Sequence, residues 1–259
     1  FDIENEATSL ANEINAKEKY GFSKDGDFVS TFNLGAEYYL NTLFDDEIKK
    51  TNTKTYQEMM FAAAEIMPSK EHVGIELKKE DLVYAEEFVK KNKIKTDKLI
   101  GIHMGASPRW PSKVWDEEIL KEFIKKAKNK GYEILLFGGP DEIDKHKQLI
   151  KELEDEKIRV YRNNPRNSGK QFISLINSCK AVICSDSFAL HVSIALKKPT
   201  IGLFFCTAPN EVEPYSYLKK IVSPRLCDFF PEKMDQYSEE LTKSITADQV
   251  LLALNEINE

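Results

Sequence analysis

The sequence lacks the features of several large protein classes. No apolar run in its 259 residues approaches the roughly 18 to 20 residues that a membrane-spanning helix needs. Its first residues, Phe1 to Glu4, do not resemble a signal peptide and contain no Met, so we expect a chain that has lost its original start. The dinucleotide fingerprint G-x-G-x-x-G and the P-loop lysine motif are both absent. A transmembrane segment is therefore not predicted, and a Rossmann oxidoreductase is disfavoured.

Cysteine is scarce, with four residues and no C-x-x-C spacing. Three of the four lie in apolar, strand-like runs, which is typical of buried free thiols in a reducing cytosol. The cysteines are Cys179, Cys184, Cys206 and Cys227. This pattern predicts no zinc site and implies no cofactor.

Excess charge is also small, because 37 basic and 43 acidic residues give a net charge of −6 with the four histidines neutral. A mildly acidic chain is a poor nucleic-acid binder, since the phosphate backbone requires a basic surface. A local basic pocket for a small phosphorylated ligand is still compatible with this balance. The hydrophobic fraction of 41% is sufficient for the cores of one or two domains.

Residues 1–95 have a mostly helical pattern. Apolar spacing predicts helices at 4–15, 35–44, 56–66 and 80–91, with short strands only at 28–32 and 73–77. Four helices and two short strands do not form a complete sheet domain. We therefore expect residues 1–95 to be the remainder of an N-terminal domain. Its helices would expose apolar faces, so we also expect it to be held less firmly than the rest.

From residue 96 onward, short apolar runs alternate regularly with amphipathic stretches. The runs at 98–104, 133–137, 158–161, 181–184, 199–205 and 219–223 predict six strands. Capping boxes at Ser168/Gln171 and Thr246/Gln249 predict where two of the helices begin. Strands separated by such helices form βαβ units. Residues 96–259 are therefore predicted to be an α/β, Rossmann-like domain with a doubly wound parallel sheet in the order 3-2-1-4-5-6.

This topology predicts where a ligand binds. In open α/β sheets, ligands bind at the carboxyl ends of the strands, where the strand order reverses. Here that position is formed by the loops after the first strand (residues 103–113) and after the fourth (185–187). The loop after the second strand (138–142) lies beside them.

The first of these loops combines small residues with cations. Gly105 and Ala106 keep side chains away, so backbone N–H groups can approach a ligand. Ser107 offers a hydroxyl group, and Arg109 and Lys113 offer positive charge. The alternative is a surface loop whose prolines fix the turn and whose two cations are solvated.

The other two loops supply carboxylates and the start of a helix. Asp186 or Ser187 is expected to cap a helix whose free N–H groups and positive dipole end face the ligand, with His191 one turn further on. After the second strand, Asp141 and Glu142 stand where an acid can bind ribose hydroxyls. The alternatives are plain helix capping, a buried histidine with satisfied hydrogen bonds, and favourable acids in a first helical turn.

Three motifs lie in register over residues 100–205. They read IHMGAS…RWPSKVW, ILLFGGPDE and VICSDSFALHVSIALKKPTIGLFF. Together they resemble glycosyltransferase family 9, the ADP-heptose–lipopolysaccharide heptosyltransferase family. The resemblance implies a GT-B architecture of two Rossmann-like domains, with residues 1–95 on the acceptor side and residues 96–259 binding the donor. It also implies inverting, metal-independent transfer of a sugar from a nucleotide diphosphate to a membrane glycolipid.

The expected donor is ADP-heptose, and the expected acceptor is a lipopolysaccharide-type glycolipid. Such an enzyme would be cytoplasmic or peripheral at the inner face of the bacterial inner membrane. By the resemblance, Gly139 and Glu142 bind the nucleoside. The residues expected at the donor phosphates are Ala106, Ser107, Arg109, Lys113, Asp186, Ser187, Phe188 and His191. The catalytic base would be an aspartate preceding Phe1, so residues 1–259 alone are expected to bind donor nucleotide without transferring sugar.

Three residues depart from the family pattern. Phe188 stands where the family has a glycine after Asp-Ser, Pro108 where it has a lysine, and Phe205 where it has the glycine of LFG. Phe188 would crowd the phosphates, and without the lysine the cationic role passes to Arg109 or Lys113. The departures leave two hypotheses open. One is an active family 9 glycosyltransferase, and the other is a nucleotide-sugar-binding protein of the same fold that has lost catalysis.

Overall fold

A computed structural model of the chain describes residues 1–69, 71–105 and 107–257. Within these residues the chain forms two units. The small unit consists of Phe1–Glu71 and Ala208–Glu213, and the large unit consists of His72–Thr207 and Pro214–Glu259. The small unit is therefore assembled from two separate stretches of the chain.

Short helices and one β-hairpin make up the small unit. Its elements are α1 (Asn5–Glu13), β1 (Phe22–Asp25), β2 (Phe28–Thr31), α2 (Leu34–Phe44), α3 (Asp46–Thr51) and α4 (Tyr56–Ala63). The strands pair antiparallel across a turn at Gly26, whose φ of +58° lies in the left-handed region that favours glycine. A small core of Phe22, Ala36 and Ala63 joins β1 to α2 and α4.

Three predicted helices of this region are confirmed as α1, α2 and α4, and the strand predicted at 28–32 is β2. The sequence pattern did not predict β1 or α3, because β1 is only four residues long and α3 is a polar run of six. The small unit exposes many large apolar side chains, of which Leu10, Leu34, Phe44 and Tyr56 lie on its helices. They are Phe1, Leu10, Ile14, Tyr20, Phe28, Leu34, Phe44, Tyr56, Ile66 and Met67. That residues 1–95 are held less firmly than the rest of the chain stays a prediction.

Alternating strands and helices build the large unit. The helices are α5 (Lys79–Asn92), α6 (Glu117–Asn129), α7 (Ile143–Asp155), α8 (Gly169–Asn177), α9 (Phe188–Ala195), α10 (Leu226–Phe229), α11 (Glu239–Thr242) and α12 (Ala247–Glu256). The strands are β3 (Leu99–His103), β4 (Glu133–Phe137), β5 (Tyr161–Arg162), β6 (Ala181–Ser185), β7 (Thr200–Phe204) and β8 (Leu218–Val222). All six strands are parallel in the order β5-β4-β3-β6-β7-β8. The predicted doubly wound order is therefore confirmed.

Helices cover both faces of this sheet. On one face, alternate strand residues such as Ile102 and Ile183 pack with α6, α7 and α12 in the main core. On the other face, where α9 packs on β6 and β7, glycines leave room for neighbouring side chains. A Cβ at Gly101 would lie 2.8 Å from the Phe137 ring and 2.9 Å from the Cys179 sulfur, and a Cβ at Gly202 would lie 2.9 Å from a Leu218 methyl group and 3.1 Å from one of Leu190. The sheet is buried on both sides, as its continuous apolar strands predict.

The strand predicted at 73–77 is wrong. The described residues of this stretch form no strand, because their backbone bonds to a helix end instead: the N–H of Ile75 donates to the carbonyl of Ala195 at the end of α9. The strand predicted at 158–161 begins only at Tyr161. Ile158 lies just beyond α7 and completes the cap at its C-terminal end, because its N–H donates to the carbonyl of Leu153 and Lys157 before it has a φ of +63°.

The boundary between the two units lies after Glu71, whereas the sequence pattern changes at residue 96. The helix predicted at 80–91 is α5, which packs against α8 and so lies in the large unit. The segment from His72 to residue 95 is thus grouped with the sheet rather than with the helices before it. The roles expected for residues 1–95 and 96–259, acceptor side and donor side, stay predictions.

Candidate active site

Three loops of the large unit start side by side at the carboxyl edge of the sheet. The central strand β3 pairs with β4 and β6 in a register that places His103 opposite both Phe137 and Cys184. The loops that follow these three strands therefore begin at one level. This is the position where the strand order reverses, as the topology predicts.

A cavity of about 500 Å³ opens between the loops after β3 and β4. The first turns of α6 and α7 and the segment near α11 complete its walls. It is lined by Met104, Ser107, Pro108, Pro111, Val114, Trp115, Asp116, Glu117, Leu120, Asp141, Glu142, Lys145, His146, Leu149, Tyr237 and Thr242. About half of these residues are apolar and the rest are polar or charged, with four acids among them, Asp116, Glu117, Asp141 and Glu142. A concave cavity of this size is typical of small-ligand sites.

Glu142 is fixed at the edge of this cavity. It ends the single helical turn Pro140–Glu142, and its Oε2 accepts a hydrogen bond of 2.7 Å from the N–H of Gly139. Two glycines make room for the carboxylate. A Cβ at Gly105 would lie 2.9 Å from Oε1, and one at Gly138 would lie 2.7 Å from the Glu142 Cβ. The predicted acid is therefore held by the loops on both sides.

Hydrogen bonds to the C-terminal part of the large unit hold the loop after β3. The fully buried Ser112 hydroxyl donates to the carbonyl of Gln236 and accepts from the N–H of Ser238, both at 2.8 Å. The side chain of Arg109 is exposed, and its guanidinium lies 4.8 Å from the centre of the Trp110 ring. Arg109 is thus exposed to solvent and stacked on Trp110, and among the described residues it has no acidic partner.

Lys113, Asp186 and His191 form a charged cluster across the loops after β3 and β6. Lys113 Nζ lies 3.1 Å from Asp186 Oδ2, and both side chains are mostly buried. His191 Nε2 lies 3.9 Å from Asp186 Oδ1, and its side chain is 62% exposed. His191 is therefore not the buried histidine of the alternative reading.

Ser187 is the N-cap residue of α9, but its side chain makes no capping hydrogen bond. The side-chain cap expected from Asp186 or Ser187 is thus wrong. Asp186 turns to Lys113 instead, and the Ser187 hydroxyl lies 3.5 Å from Nδ1 of His103. The N–H groups at the start of α9 gain no partner from that cap, which leaves the positive end of the helix to interact with an anion.

The structure separates the predicted site residues into groups. Ser107 and Glu142 line the cavity with Pro108, whereas the charged cluster and Phe188 lie outside its lining. Phe205 is 1% exposed and belongs to the main core, so this departure is a packing residue. Ala106 lies outside the described residues. In the part of the chain that is described, no helix is long and apolar enough to span a bilayer, and no three potential acidic, His or Cys ligands are grouped to hold a metal.

A model of glycosyltransferase family 9 (heptosyltransferase) matches residues 8–239. The chain belongs to glycosyltransferase family 9. Among its relatives, lipopolysaccharide heptosyltransferase 2 of Salmonella typhimurium is 30% identical over 125 residues, which are 48% of this chain and 36% of that protein. Lipooligosaccharide heptosyltransferase 2 of Haemophilus ducreyi is 30% identical over 168 residues, which are 61% of this chain and 45% of that protein. The matched part thus spans less than half the length of these relatives.

Solved structures of family 9 members have the same fold. A family 9 glycosyltransferase from Veillonella parvula superposes with a TM-score of 0.64 at 21% identity, over 80% of this chain and 61% of that one. The E. coli ADP-heptose lipopolysaccharide heptosyltransferase II gives a TM-score of 0.62 at 21% identity, over 78% and 61%. The expected α/β fold, with its six-stranded parallel sheet, is confirmed.

The site also contains two histidines, His103 and His146, that the sequence did not predict as site residues. His103 ends β3, and His146 lies one turn into α7 on the cavity wall. Burial is the main cause that lowers the pKa of each to about 4, and the mutual proximity of the two lowers that of His103 further. A lone histidine carries no periodic signal, so only its place at the end of a predicted strand could have singled out His103.

We expect acid to destabilise the large unit through these two histidines. In the unfolded chain each histidine is protonated near its ordinary pKa of 6.5, whereas in the folded protein protonation requires a pH of about 4. Stability should therefore fall as the pH drops from about 6.5 to about 4, by roughly 3 kcal/mol per histidine. Urea unfolding across this range measures the effect, and His146→Gln should reduce it. His191→Gln is the control, and an equal reduction by it would contradict this account.

Proposed function

We propose that this chain binds a nucleotide diphosphate sugar at the carboxyl edge of its sheet. The protein that contains it is proposed to transfer the sugar, with inversion and without a metal, to a lipopolysaccharide-type acceptor, ADP-heptose being the donor. The observation that carries the proposal is the cavity with Glu142 on its edge, beside the uncapped start of α9. Family membership and the names of the relatives support the sugar and the acceptor.

The nucleoside fits the cavity. Glu142 accepts from the N–H of Gly139 with Oε2, which orients the carboxylate and leaves Oε1 to accept a ribose hydroxyl. The side chains of Met104, Trp115 and Leu149 supply apolar surface for a base. In this proposal Gly139 acts on the nucleoside through Glu142, whose carboxylate its N–H holds in place.

The diphosphate fits the start of α9. Helix N–H groups and the positive dipole end attract phosphate, and nearby cations add charge-assisted bonds. Asp186 alone would repel a diphosphate, but the Lys113 ammonium neutralises it at 3.1 Å. The exposed Arg109 on the same loop as Lys113 supplies a further cation.

In this proposal the acceptor hydroxyl attacks the anomeric carbon as the bond to the diphosphate breaks. The leaving diphosphate gains charge in that step, and the helix start with Lys113 and Arg109 stabilises it there. A base must take the proton of the acceptor hydroxyl. Asp186 is engaged by Lys113, so we assign it to the donor site and not to this role. In this proposal the protein acts at the cytoplasmic face of the inner membrane, where a lipopolysaccharide-type acceptor would be presented.

Replacing Lys113 with Ala should weaken ADP binding by about 10- to 150-fold, which corresponds to the roughly 1.5 to 3 kcal/mol of a charge-assisted hydrogen bond. The Asp186 carboxylate would then face the diphosphate unpaired, so Lys113→Ala with Asp186→Asn should recover part of the loss. Arg109→Ala should weaken ADP binding by a smaller factor. Isothermal titration calorimetry with ADP and with adenosine measures each variant.

The control for this experiment is Lys125→Ala, which removes an ion pair with Glu156 away from the site. It should leave ADP binding unchanged. Equal losses for ADP and adenosine in Lys113→Ala would mean that the residue supports the fold and not the phosphates. A structure with ADP bound away from the loops 103–113 and 185–188 would overturn the assignment of the site.

A second candidate function is nucleotide-sugar binding without transfer. Two departures at the site favour it, because Pro108 lines the cavity where the family has a lysine and Phe188 begins α9 where the family has a glycine. A transfer assay of the full-length protein with ADP-heptose, run beside the ADP titration, separates the two. Tight ADP binding with no transfer would establish the second candidate.

A further inference from the structure

Phe188 places an exposed aromatic ring on the first turn of α9. The side chain is 62% exposed, whereas Ala189 and Leu190, which follow it, are fully buried. An exposed ring contributes little to the core, and an aromatic residue has no advantage at the start of a helix. Neither burial in the core nor helix formation therefore accounts for a phenylalanine at this position.

The ring is nevertheless held in place. It stacks on Phe172 of α8, with the ring centres 5.8 Å apart and the planes 28° from parallel. Phe172 in turn packs edge-on against Phe137 of β4 at 5.3 Å and against His103 of β3 at 6.0 Å. Phe188 is thus the outermost member of an aromatic row that reaches back to the strand ends, which keeps its exposed surface in a fixed orientation.

The row lies on the opposite side of the sheet edge from the nucleoside cavity. The cavity is walled by α6 and α7, and the row is built on α8 and α9, which cover the other face. Asp186, paired with Lys113, lies just before Phe188, and His191 lies one turn after it. If the diphosphate binds at the start of α9, as proposed above, the sugar beyond it would lie near the exposed Phe188 ring, while the Phe188 backbone would face the phosphates.

We propose that Phe188 is a specificity-determining residue that binds the donor sugar through the apolar C–H face of the pyranose ring. This inference rests on the proposed function. The face of a phenyl ring is negative and the C–H groups of a sugar are weakly positive, so the two stack favourably and exclude water. The ring forms no hydrogen bond with hydroxyl groups, so it selects donors whose sugar presents several C–H groups on one side.

The test compares three ligands on four proteins. ADP-heptose, ADP and adenosine are titrated calorimetrically into the unchanged protein, Phe188→Ala, Phe188→Tyr and the control Phe44→Ala, which removes an exposed phenylalanine of the small unit. Phe188→Ala should weaken ADP-heptose binding by about three- to tenfold and change ADP and adenosine binding less than about twofold. Phe188→Tyr keeps the aromatic face and should retain most of the affinity for ADP-heptose.

Each other result is decisive. Equal weakening of ADP and ADP-heptose in Phe188→Ala would show that the ring contacts phosphate or nucleoside, which overturns the assignment to the sugar. Unchanged ADP-heptose binding would overturn it as well, as would a loss in Phe188→Tyr equal to that in Phe188→Ala. If the unchanged protein binds none of the three ligands, the proposed function itself fails, and this inference fails with it.

Discussion

Replacing Trp115 with Ala is expected to destabilise the large unit by about 3 to 5 kcal/mol, the usual cost of removing a buried tryptophan. Trp115 is 2% exposed and its ring lies 5.6 Å from that of Phe123. Its indole N–H donates to the carbonyl of Ile245 at 2.7 Å. The substitution enlarges the cavity that Trp115 lines and leaves a buried carbonyl without its partner. Guanidinium unfolding followed by far-ultraviolet circular dichroism measures the loss.

Two variants separate the contributions of Trp115. Trp115→Phe keeps much of the apolar contact and removes the N–H, so it should cost about 1 to 3 kcal/mol. Trp110→Ala removes the half-buried tryptophan of the same loop and should cost less than about 1 kcal/mol. Similar losses for Trp110→Ala and Trp115→Ala would contradict the view that burial and the bond to Ile245 decide the effect.

Replacing Gly35 with Ala should destabilise the small unit by about 3 kcal/mol. A Cβ at Gly35 would overlap the carbonyl oxygen of Ala62 and lie 2.9 Å from its carbonyl carbon. Backbone cannot move aside as a side chain can, and the Ala62 carbonyl already accepts from the N–H of Glu65 at the end of α4. Hydrogen exchange of α2 and α4 reports on this unit separately from the sheet.

Gly169→Ala is the matched control for Gly35→Ala. Gly169 is the first residue of α8, and a Cβ there would meet nothing within 4 Å. Alanine favours helix over glycine by up to about 1 kcal/mol, so this variant should be neutral or slightly stabilising. A neutral Gly35→Ala would show that α2 and α4 do not approach each other as described.

Much of the large unit could be predicted because its sequence signals are local. The run EILLF coincides with β4, and Ser168 with Gln171 forms the capping box that begins α8. The amphipathic pattern from residue 114 contains α6, although the helix begins only at Glu117, because Asp116 caps it. Each of these signals depends on residues within a few positions of one another.

The arrangement of the site could not be predicted from local signals, because it depends on contacts between residues that are distant in the sequence. Lys113 and Asp186 are far apart in the sequence, and only the pairing of β3 with β6 brings their loops together. The strand predicted at 73–77 was wrong for a related reason, since an apolar run forms a strand only where a neighbouring strand is available. There the N–H of Ile75 bonds to the end of α9 instead.

The segment Ala208–Glu213 belongs to the small unit although it lies far along the chain. Its Asn210 side chain donates to the carbonyl of Asn52 at 3.3 Å, and the charge of Glu211 helps to raise the pKa of Tyr39 to about 12, although burial is the larger cause. A ribosome adds about 5 to 20 residues per second, so it needs on the order of 7 to 30 seconds to synthesise residues 72–207. During that interval the nascent small unit exists without its last segment and with its apolar side chains exposed. It is completed only after most of the sheet has been synthesised, so residues 1–71 finish folding late although they are made before the large unit.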